Sequence, residues 1–327
     1  MKTTTSSGIR QNPEVALSGI LASPAPKVYP DALPLARWRV LDFVELTKPR
    51  IAVMVLFTVA VGALLAHRGP FDLLQLLHAL VGTALVASGA SALNQWLERH
   101  TDAMMRRTEN RPLPAGRLTP AEVLGFGLVL SVVGLVYMAC LLIHPLAAGL
   151  TALTLLSYVF VYTPLKRITT LNTLIGAIPG ALPPVIGWTA MTGTLDRGAI
   201  VLFLIVFIWQ VPHFLSIAWM YREDYARAGL KMLPTSTHDT VTARQMLLYC
   251  LALIVVSVLP VLLGDASMMY GFGAAGLGVF FLRAVWSFGL EPSQVHARKV
   301  LHASLIYLPS VMALLLVERW IRYMIVG

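Results

Sequence analysis

The chain has 327 residues, of which 57% are hydrophobic and only 13% are charged, and its formal net charge is +9. A soluble domain usually has about 25% charged residues, so this composition excludes a soluble globular protein and indicates a single membrane domain. The basic residues lie between apolar segments and form no continuous stripe, which argues against nucleic-acid binding.

The N-terminal segment differs in composition from the rest of the chain. Residues 1–40 are rich in Ser, Thr, Pro and Ala and contain no apolar run long enough to cross a membrane. We therefore expect a disordered cytoplasmic tail there, followed by a transmembrane domain over residues 41–327. Glu14 and Asp31 argue against a transit peptide.

The remainder of the chain is a series of apolar stretches. A spanning helix needs about 20 largely apolar residues, because its backbone groups find no hydrogen-bond partners in lipid. Nine stretches meet this requirement, near residues 50–68, 74–97, 121–142, 145–163, 171–191, 199–220, 244–263, 268–288 and 301–323. The sequence thus predicts an all-α, polytopic membrane protein whose termini lie on opposite sides.

The distribution of positive charge predicts the orientation of these helices. All of the 25 Lys and Arg residues except Arg68, Arg197, Arg319 and Arg322 fall on one side of the predicted topology. Short cytoplasmic loops retain positive charge, so we expect the N-terminus to be cytoplasmic and the C-terminus periplasmic. The two long loops, near 98–120 and 221–243, are then both cytoplasmic.

A group of polar side chains follows the second predicted helix. Asn94, Glu98 and Asp102 are spaced four residues apart, so on a helix they share one face within an arc of about 80°. Carboxylates stacked in this way repel one another, and a cation compensates them. Oxygen ligands that are few in number suit Mg²⁺, which often takes further ligands from substrate phosphates.

Four arginines just downstream are candidates for holding those phosphates bidentately: Arg106, Arg107, Arg111 and Arg117. The alternative is that Glu98 and Asp102 form surface pairs with Arg99 and Arg106, the arginines serving only to orient the protein in the membrane.

A second acidic cluster follows the sixth predicted helix. Asp224 is the best candidate there for another cation ligand, with Glu223 as a substitute and Arg222, Arg227 and Lys231 as phosphate partners. Gly229 and Pro234 are expected to end the helical turn. Within the helix, His213 could be a satisfied core histidine, but Gln210 one turn earlier favours a polar cavity and a substrate contact.

With these motifs assembled, residues 42–320 resemble the UbiA-type intramembrane prenyltransferase superfamily, and within it the members that act on heme. The resemblance depends on Lys48-Pro49-Arg50, Asn94-x-x-x-Glu98-x-x-x-Asp102, Arg107-x-x-x-Arg111, Tyr162-x-x-x-Lys166-Arg167, Pro212-His213-Phe214 and Asp224-Tyr225. The superfamily more often has a second Asp four residues after the first, where this chain has Ala228.

The resemblance implies a helical bundle around an intramembrane cavity, in which Asn94, Glu98, Asp102 and Asp224 hold Mg²⁺ and the prenyl diphosphate. It implies transfer of a farnesyl group from farnesyl diphosphate to a vinyl group of heme b, giving heme O and diphosphate. Further expected roles are diphosphate or substrate binding by Lys48, Arg50, Lys166 and Arg167, stabilisation of the allylic cation by Tyr162, and heme orientation or proton transfer by His213.

Two other functions remain open at this point. One is prenyl transfer to a quinone-precursor ring or a chlorin, because the diphosphate machinery would be shared. The other is transport, although transporters usually place ionisable groups near the bilayer midplane and not at one face. For the heme enzyme we expect a bacterial inner membrane location and a downstream heme-modifying enzyme or terminal oxidase assembly as a partner.

Overall fold

The computed structural model describes residues 35–66 and 71–326. Within those residues it is all-helical and contains no strand. The helices are α1 Leu35–Leu46, α2 Pro49–Ala66, α3 Leu73–Ala103, α4 Pro120–Leu141, α5 Pro145–Leu165, α6 Asn172–Thr192, α7 Arg197–Met220, α8 Arg222–Arg227, α9 Leu233–Ser236, α10 Asp239–Leu262, α11 Met268–Leu290 and α12 Gln294–Val326.

Nine of the helices in the described residues, α2 to α7 and α10 to α12, are long and apolar enough to cross a membrane. The predicted number and order of spans are confirmed. The largest extensions beyond the predicted spans are in α3, which continues to Ala103, and in α12, which begins at Gln294. Charged residues such as Glu98 and Arg298 support a helix beyond the point where the apolar run stops, since straight-chain side chains have high helix propensity.

The predicted boundary between tail and domain at residue 40 lies inside α1, which begins at Leu35. The division of the chain into a tail and a transmembrane domain stays a prediction. Residues 1–34 of the tail predicted over residues 1–40 lie outside the described residues. Arg68, one of the charges used for the orientation, also lies outside them.

Several helix starts are fixed by the residue that precedes them. Thr119 and Glu122 form a capping box at the start of α4, where Pro120 occupies the first turn. The Asp196 carboxylate accepts a hydrogen bond from the Gly198 amide at the start of α7, at 3.0 Å. These caps satisfy amide groups that have no partner within the helix.

Helix α6 is the most enclosed of the spanning helices, with 72% of the residues in its apolar stretch buried, against 28% for α4. It packs closely on α2: a methyl group on Gly62 would overlap the Pro184 carbonyl, and one on Gly187 would overlap the Val59 carbonyl. Small residues let helix backbones approach closely in a membrane. Helix α6 also contacts α5 and α7, the two helices that carry several of the predicted site residues.

The long connections meet at one end of the bundle. Met105, which follows α3, is buried in a cluster with Ala218 of α7 and with Leu230, which follows α8. The Trp219 indole donates a hydrogen bond of 2.8 Å to Asp239 at the start of α10. The predicted polar loops therefore lie on the same side of the bundle.

Candidate active site

Asn94, Glu98 and Asp102 lie on α3 as predicted, all within its last three turns. The three residues are almost fully buried, with whole-residue exposures of 2%, 9% and 1%. Each has a partner from another segment: Thr163 for Asn94, Lys166 for Glu98 and Arg111 for Asp102. This arrangement rules out the alternative of a solvated helix surface pairing with Arg99 and Arg106.

Glu98 forms an ion pair with Lys166, in which Lys166 Nζ lies 2.7 Å from Glu98 Oε1. The side chains of both residues are less than a fifth exposed. Burial opposes the charge on Lys166, but the Glu98 carboxylate and the nearby Tyr162 raise its pKa above the ordinary value. Lys166 therefore stays charged, and its ammonium group also lies 4.6 Å from the centre of the Tyr162 ring.

The two carboxylate oxygens of Asp102 differ in their hydrogen bonding. Its Oδ2 accepts a hydrogen bond from Arg111 at 2.6 Å, while its Oδ1 is buried and has no hydrogen-bond partner among the described residues. A buried carboxylate oxygen without a partner is costly. The oxygen is thus available to a ligand that the described residues do not supply.

Lys48 joins this network from the turn between α1 and α2. Its Nζ donates a 3.4 Å hydrogen bond to Asn94 Oδ1, and its backbone has a positive φ of 49°. A non-glycine residue in this region is strained, and such strain often marks functional positions. Burial lowers the pKa of Lys48 to about 7, and the Arg111 guanidinium adds to the effect. An anion bound here would favour the charged lysine.

The end of α5 departs from regular α-helix and positions two of the site residues. Residues Ser157–Tyr162 are π-helical, a geometry found frequently at functional sites. Thr163 follows directly and accepts a 3.1 Å hydrogen bond from Asn94 Nδ2. The Tyr162 ring packs against Gly176 of α6, where a methyl group would overlap it.

The second polar loop is tied to the first site by its backbone. The Lys231 amide donates to the Lys166 carbonyl at 2.7 Å, and Asn172 Nδ2 donates to the Lys231 carbonyl at 2.8 Å. Arg107 connects the two loops by stacking on Tyr221 and donating a 3.1 Å hydrogen bond to the Tyr225 hydroxyl. Its predicted diphosphate role stays a prediction.

Asp224 lies on α8 and pairs with Arg227, at 3.2 Å. Its predicted place among the metal ligands stays a prediction. Over residues 35–66 and 71–326, no group of three or more His, Cys, Asp and Glu side chains is arranged to hold a metal ion. Gly229 has a φ of +67° and follows the end of α8, as predicted. Pro234, by contrast, lies in the first turn of α9, where proline is well tolerated.

Two predicted diphosphate ligands are engaged elsewhere. Arg117 forms ion pairs of 2.7 Å with Asp42 and with Glu45, so it fastens α1 to the loop before α4. Arg222 stacks on Trp219 and lies 3.9 Å from Asp239. Arg50, Arg106 and Arg167 are exposed, and their side chains make no hydrogen bond or ion pair with the described residues.

His213 lies on α7 with its ring stacked on Trp209, the ring centres being 4.8 Å apart. Its Nδ1 is 2.8 Å from the Ser304 hydroxyl, which itself donates to the Leu301 carbonyl at 2.6 Å. A hydroxyl has one proton to donate, so Nδ1 carries the hydrogen in this pair. The unprotonated Nε2 has no hydrogen-bond partner among the described residues.

Sequence reasoning missed three residues that form hydrogen bonds with groups of the site. Thr163 bonds to Asn94, Asn172 to the Lys231 backbone and Ser304 to His213. Each is a polar residue that is at most 5% exposed. Short polar side chains within apolar helices were the available signal, but many such residues only bond to their own helix backbone, as Thr151 and Ser131 do here.

Comparison with known proteins shows the family of the chain. The model of the UbiA prenyltransferase family matches residues 55–308. The chain belongs to this family. Proteins named protoheme IX farnesyltransferase from Solibacter usitatus and Salinibacter ruber are 49% and 47% identical to it. Each match covers 85% of this chain and 98% of the relative.

Solved structures of other proteins share the fold. A digeranylgeranylglyceryl phosphate synthase has a TM-score of 0.72 at 19% identity, over 85% of this chain and 98% of that one. A UbiA homolog from Archaeoglobus fulgidus bound to GPP and Mg²⁺ has a TM-score of 0.62 at 13% identity, over 84% and 99%.

Proposed function

We propose that this chain transfers the farnesyl group of farnesyl diphosphate to a vinyl group of heme b, forming heme O and releasing diphosphate. The observation that carries the proposal is the buried network of Glu98 and Asp102 with Lys48, Lys166 and Arg111 at one end of the bundle. The choice of heme as the acceptor is supported by relatives named protoheme IX farnesyltransferase that align over nearly their whole length.

The charges of this network suit a metal-bound diphosphate. Two carboxylates and three cationic side chains leave one net positive charge, and a divalent cation would bring the total to about three. A diphosphate ester carries nearly as many negative charges near neutral pH, since the second pKa of a phosphate is about 6. Binding would therefore neutralise a buried group of charges, which lowers their cost in a low-dielectric site.

The donor set fits Mg²⁺. Asn94, Glu98 and Asp102 offer amide and carboxylate oxygens, and no other group in the described part of the chain bonds to Asp102 Oδ1. These residues, with Asp224 from the second loop, would hold the ion together with oxygens of the substrate. When bound, Mg²⁺ would stabilise the charge that develops on the leaving diphosphate. The Archaeoglobus fulgidus homolog, bound to GPP and Mg²⁺, supports a divalent ion in this fold.

The side chains of the chain itself would position and activate the diphosphate. Lys48, Lys166 and Arg111 would contact phosphate oxygens, so that the C1–O bond breaks with its electron pair leaving on the diphosphate. Tyr162, beside Lys166, would face the allylic cation with its ring. Arg50, Arg106 and Arg167 are free to contact the diphosphate at the site entrance, whereas Arg107 and Arg227 would do so only by leaving their present partners.

The vinyl group of heme would attack the allylic cation, and water would add to the resulting cation and lose a proton. His213 would orient the heme, because Ser304 fixes its ring and leaves the Nε2 lone pair free. Burial within the bundle would protect the cation from early capture by water.

We further infer the setting of the reaction. The excess of Lys and Arg at the site end supports a cytoplasmic active site and a periplasmic C-terminus in a bacterial inner membrane. A downstream heme-modifying enzyme or terminal oxidase assembly would receive the product.

The experiment is an assay of purified protein with heme and farnesyl diphosphate, with Mg²⁺ or with a chelator, in which heme O is detected by mass spectrometry. Wild-type protein is expected to form heme O only with the metal. Asp102→Asn, which keeps the size of the side chain, is expected to remove activity, while Glu109→Gln, an exposed acid of the same loop, is expected to retain it. Release of diphosphate only with a quinone-precursor ring would overturn the choice of acceptor.

A further inference from the structure

Two arginines on α10 and α11 face outward from the bundle. Arg244 and Arg283 are both exposed, and neither makes an ion pair or a side-chain hydrogen bond with the part of the chain that the structure describes. Neighbouring large apolar residues on these helices, such as Val255 at 64% and Val279 at 51%, are also exposed. This face of the bundle therefore contacts lipid.

The depth of the arginines follows from the register of the two antiparallel helices. A Cβ on Gly289 would lie 3.9 Å from the Cβ of Ala243, so these residues are level with one another. Arg283 lies six residues before Gly289 and Arg244 one residue after Ala243. At 1.5 Å per residue, Arg283 is about 8 Å deeper in the membrane than Arg244. Its long side chain can extend toward the same headgroup level.

Trp286 lies between the two arginines. It is 55% exposed and lines two adjoining grooves of about 220 and 260 Å³. Arg244 lines the first groove and Arg283 the second. The remaining lining is largely apolar, including Leu247, Leu290 and Leu282. The grooves thus combine positive charge near the membrane end with an apolar floor.

An arginine without a counter-charge is costly in the hydrocarbon region, and such residues are usually paired. A lipid phosphate would supply the missing negative charge, while the acyl chains would cover the apolar floor. A soluble anion would satisfy only the charge, and Trp286 is a residue type enriched where lipid headgroups meet the hydrocarbon core.

We propose that Arg244, Arg283 and Trp286 form a binding site for one anionic phospholipid, in the leaflet at the same end of the bundle as the candidate active site. The two guanidinium groups bind the headgroup phosphate on either side of the indole ring. This site is independent of the proposed farnesyl transfer.

The test measures lipid retention by native mass spectrometry of the full chain in detergent, titrated with phosphatidylglycerol or phosphatidylcholine. Wild-type protein is expected to retain one phosphatidylglycerol in preference to phosphatidylcholine. Arg244→Gln/Arg283→Gln is expected to bind that lipid about 30-fold more weakly, because each basic residue near an anionic lipid contributes a factor of about five. Glycerol phosphate, which lacks acyl chains, is expected not to displace it.

The matched control is Arg298→Gln/Lys299→Gln, which removes two exposed basic residues at the same end that do not line the grooves. It is expected to bind phosphatidylglycerol as the wild type does. Equal loss in both double variants would indicate general attraction to positive charge and would overturn the site. Equal retention of both lipids by the wild type, or displacement by glycerol phosphate, would also overturn it. An unchanged thermal unfolding midpoint shows that the variant is folded.

Discussion

The ion pair between Lys166 and Glu98 allows the stability and the activity of the site to be separated. Lys166→Met removes the ammonium group and keeps much of the stem, which leaves the Glu98 carboxylate buried and unpaired. Their side chains are only 15% and 11% exposed, so water screens the loss little. Removing one partner of a buried pair costs about 3–5 kcal/mol of unfolding free energy.

Lys166→Met/Glu98→Gln is the informative variant. It removes both charges, so the expected loss of stability shrinks to a small fraction of that of the single variant, since a buried pair replaced as a unit is often neutral. Heme O formation is nevertheless expected to stay absent, because the proposed metal ligand Glu98 and the proposed diphosphate contact Lys166 are both gone.

The assay is the thermal unfolding midpoint in detergent together with heme O formation. A loss of 3–5 kcal/mol is expected to lower the midpoint of Lys166→Met by roughly 6 °C or more. Arg197→Met is the control, because its pair with Asp265 is exposed and contributes at most about 1 kcal/mol. A double variant as unstable as Lys166→Met, or one with near-normal activity, would refute the reasoning.

Three further predictions concern other parts of the molecule. Ser304→Ala is expected to raise the KM for heme about tenfold with little change in the KM for farnesyl diphosphate, and Ser304→Thr is expected to restore the KM for heme. Equal changes in both constants would indicate a structural role. Gly187→Ala is expected to lower the free energy of unfolding by about 1–3 kcal/mol, measured by thermal unfolding, because the new methyl group overlaps Val59. Gly149 has open space around it, so Gly149→Ala is expected to leave that free energy unchanged or to raise it by up to about 1 kcal/mol. Arg107→Lys is expected to speed hydrogen exchange over residues 104–119, because a lysine cannot both stack on Tyr221 and bond to Tyr225. Arg106→Lys, at an exposed position, is the control. Equal exchange in the two variants would contradict this role of Arg107.

The spanning helices could be predicted from the sequence because lipid imposes a length and an apolar composition on each of them. The shared face of Asn94, Glu98 and Asp102 could also be predicted, since it depends only on the period of one helix. Their partners could not be predicted in this way. Lys166 approaches Glu98 from another helix, and Thr163 reaches Asn94 through a π-helical turn that spacing alone does not reveal.

The contacts of the individual arginines could not be predicted from the sequence either. Arg107, Arg111 and Arg117 are equivalent by composition, yet they contact Tyr225, Asp102 and Asp42. Which of them faces a buried carboxylate depends on the path of residues 104–119, which is set by tertiary packing of residues such as Met105 and Leu118. A charge census predicts the side of the membrane but not the partner of each charge.

The buried charges at the end of α3 are better explained by function than by stability. Replacing a buried ion pair with apolar residues is often neutral or stabilising, so folding alone does not require Glu98 and Lys166. Stability explains still less why Lys48 adopts a strained backbone beside Asn94, or why Asp102 Oδ1 is buried without a partner in the part of the chain that the structure describes. A ligand that brings both a cation and phosphate oxygens would remove these costs together. That common solution is the physical basis for assigning prenyl diphosphate chemistry to this end of the bundle.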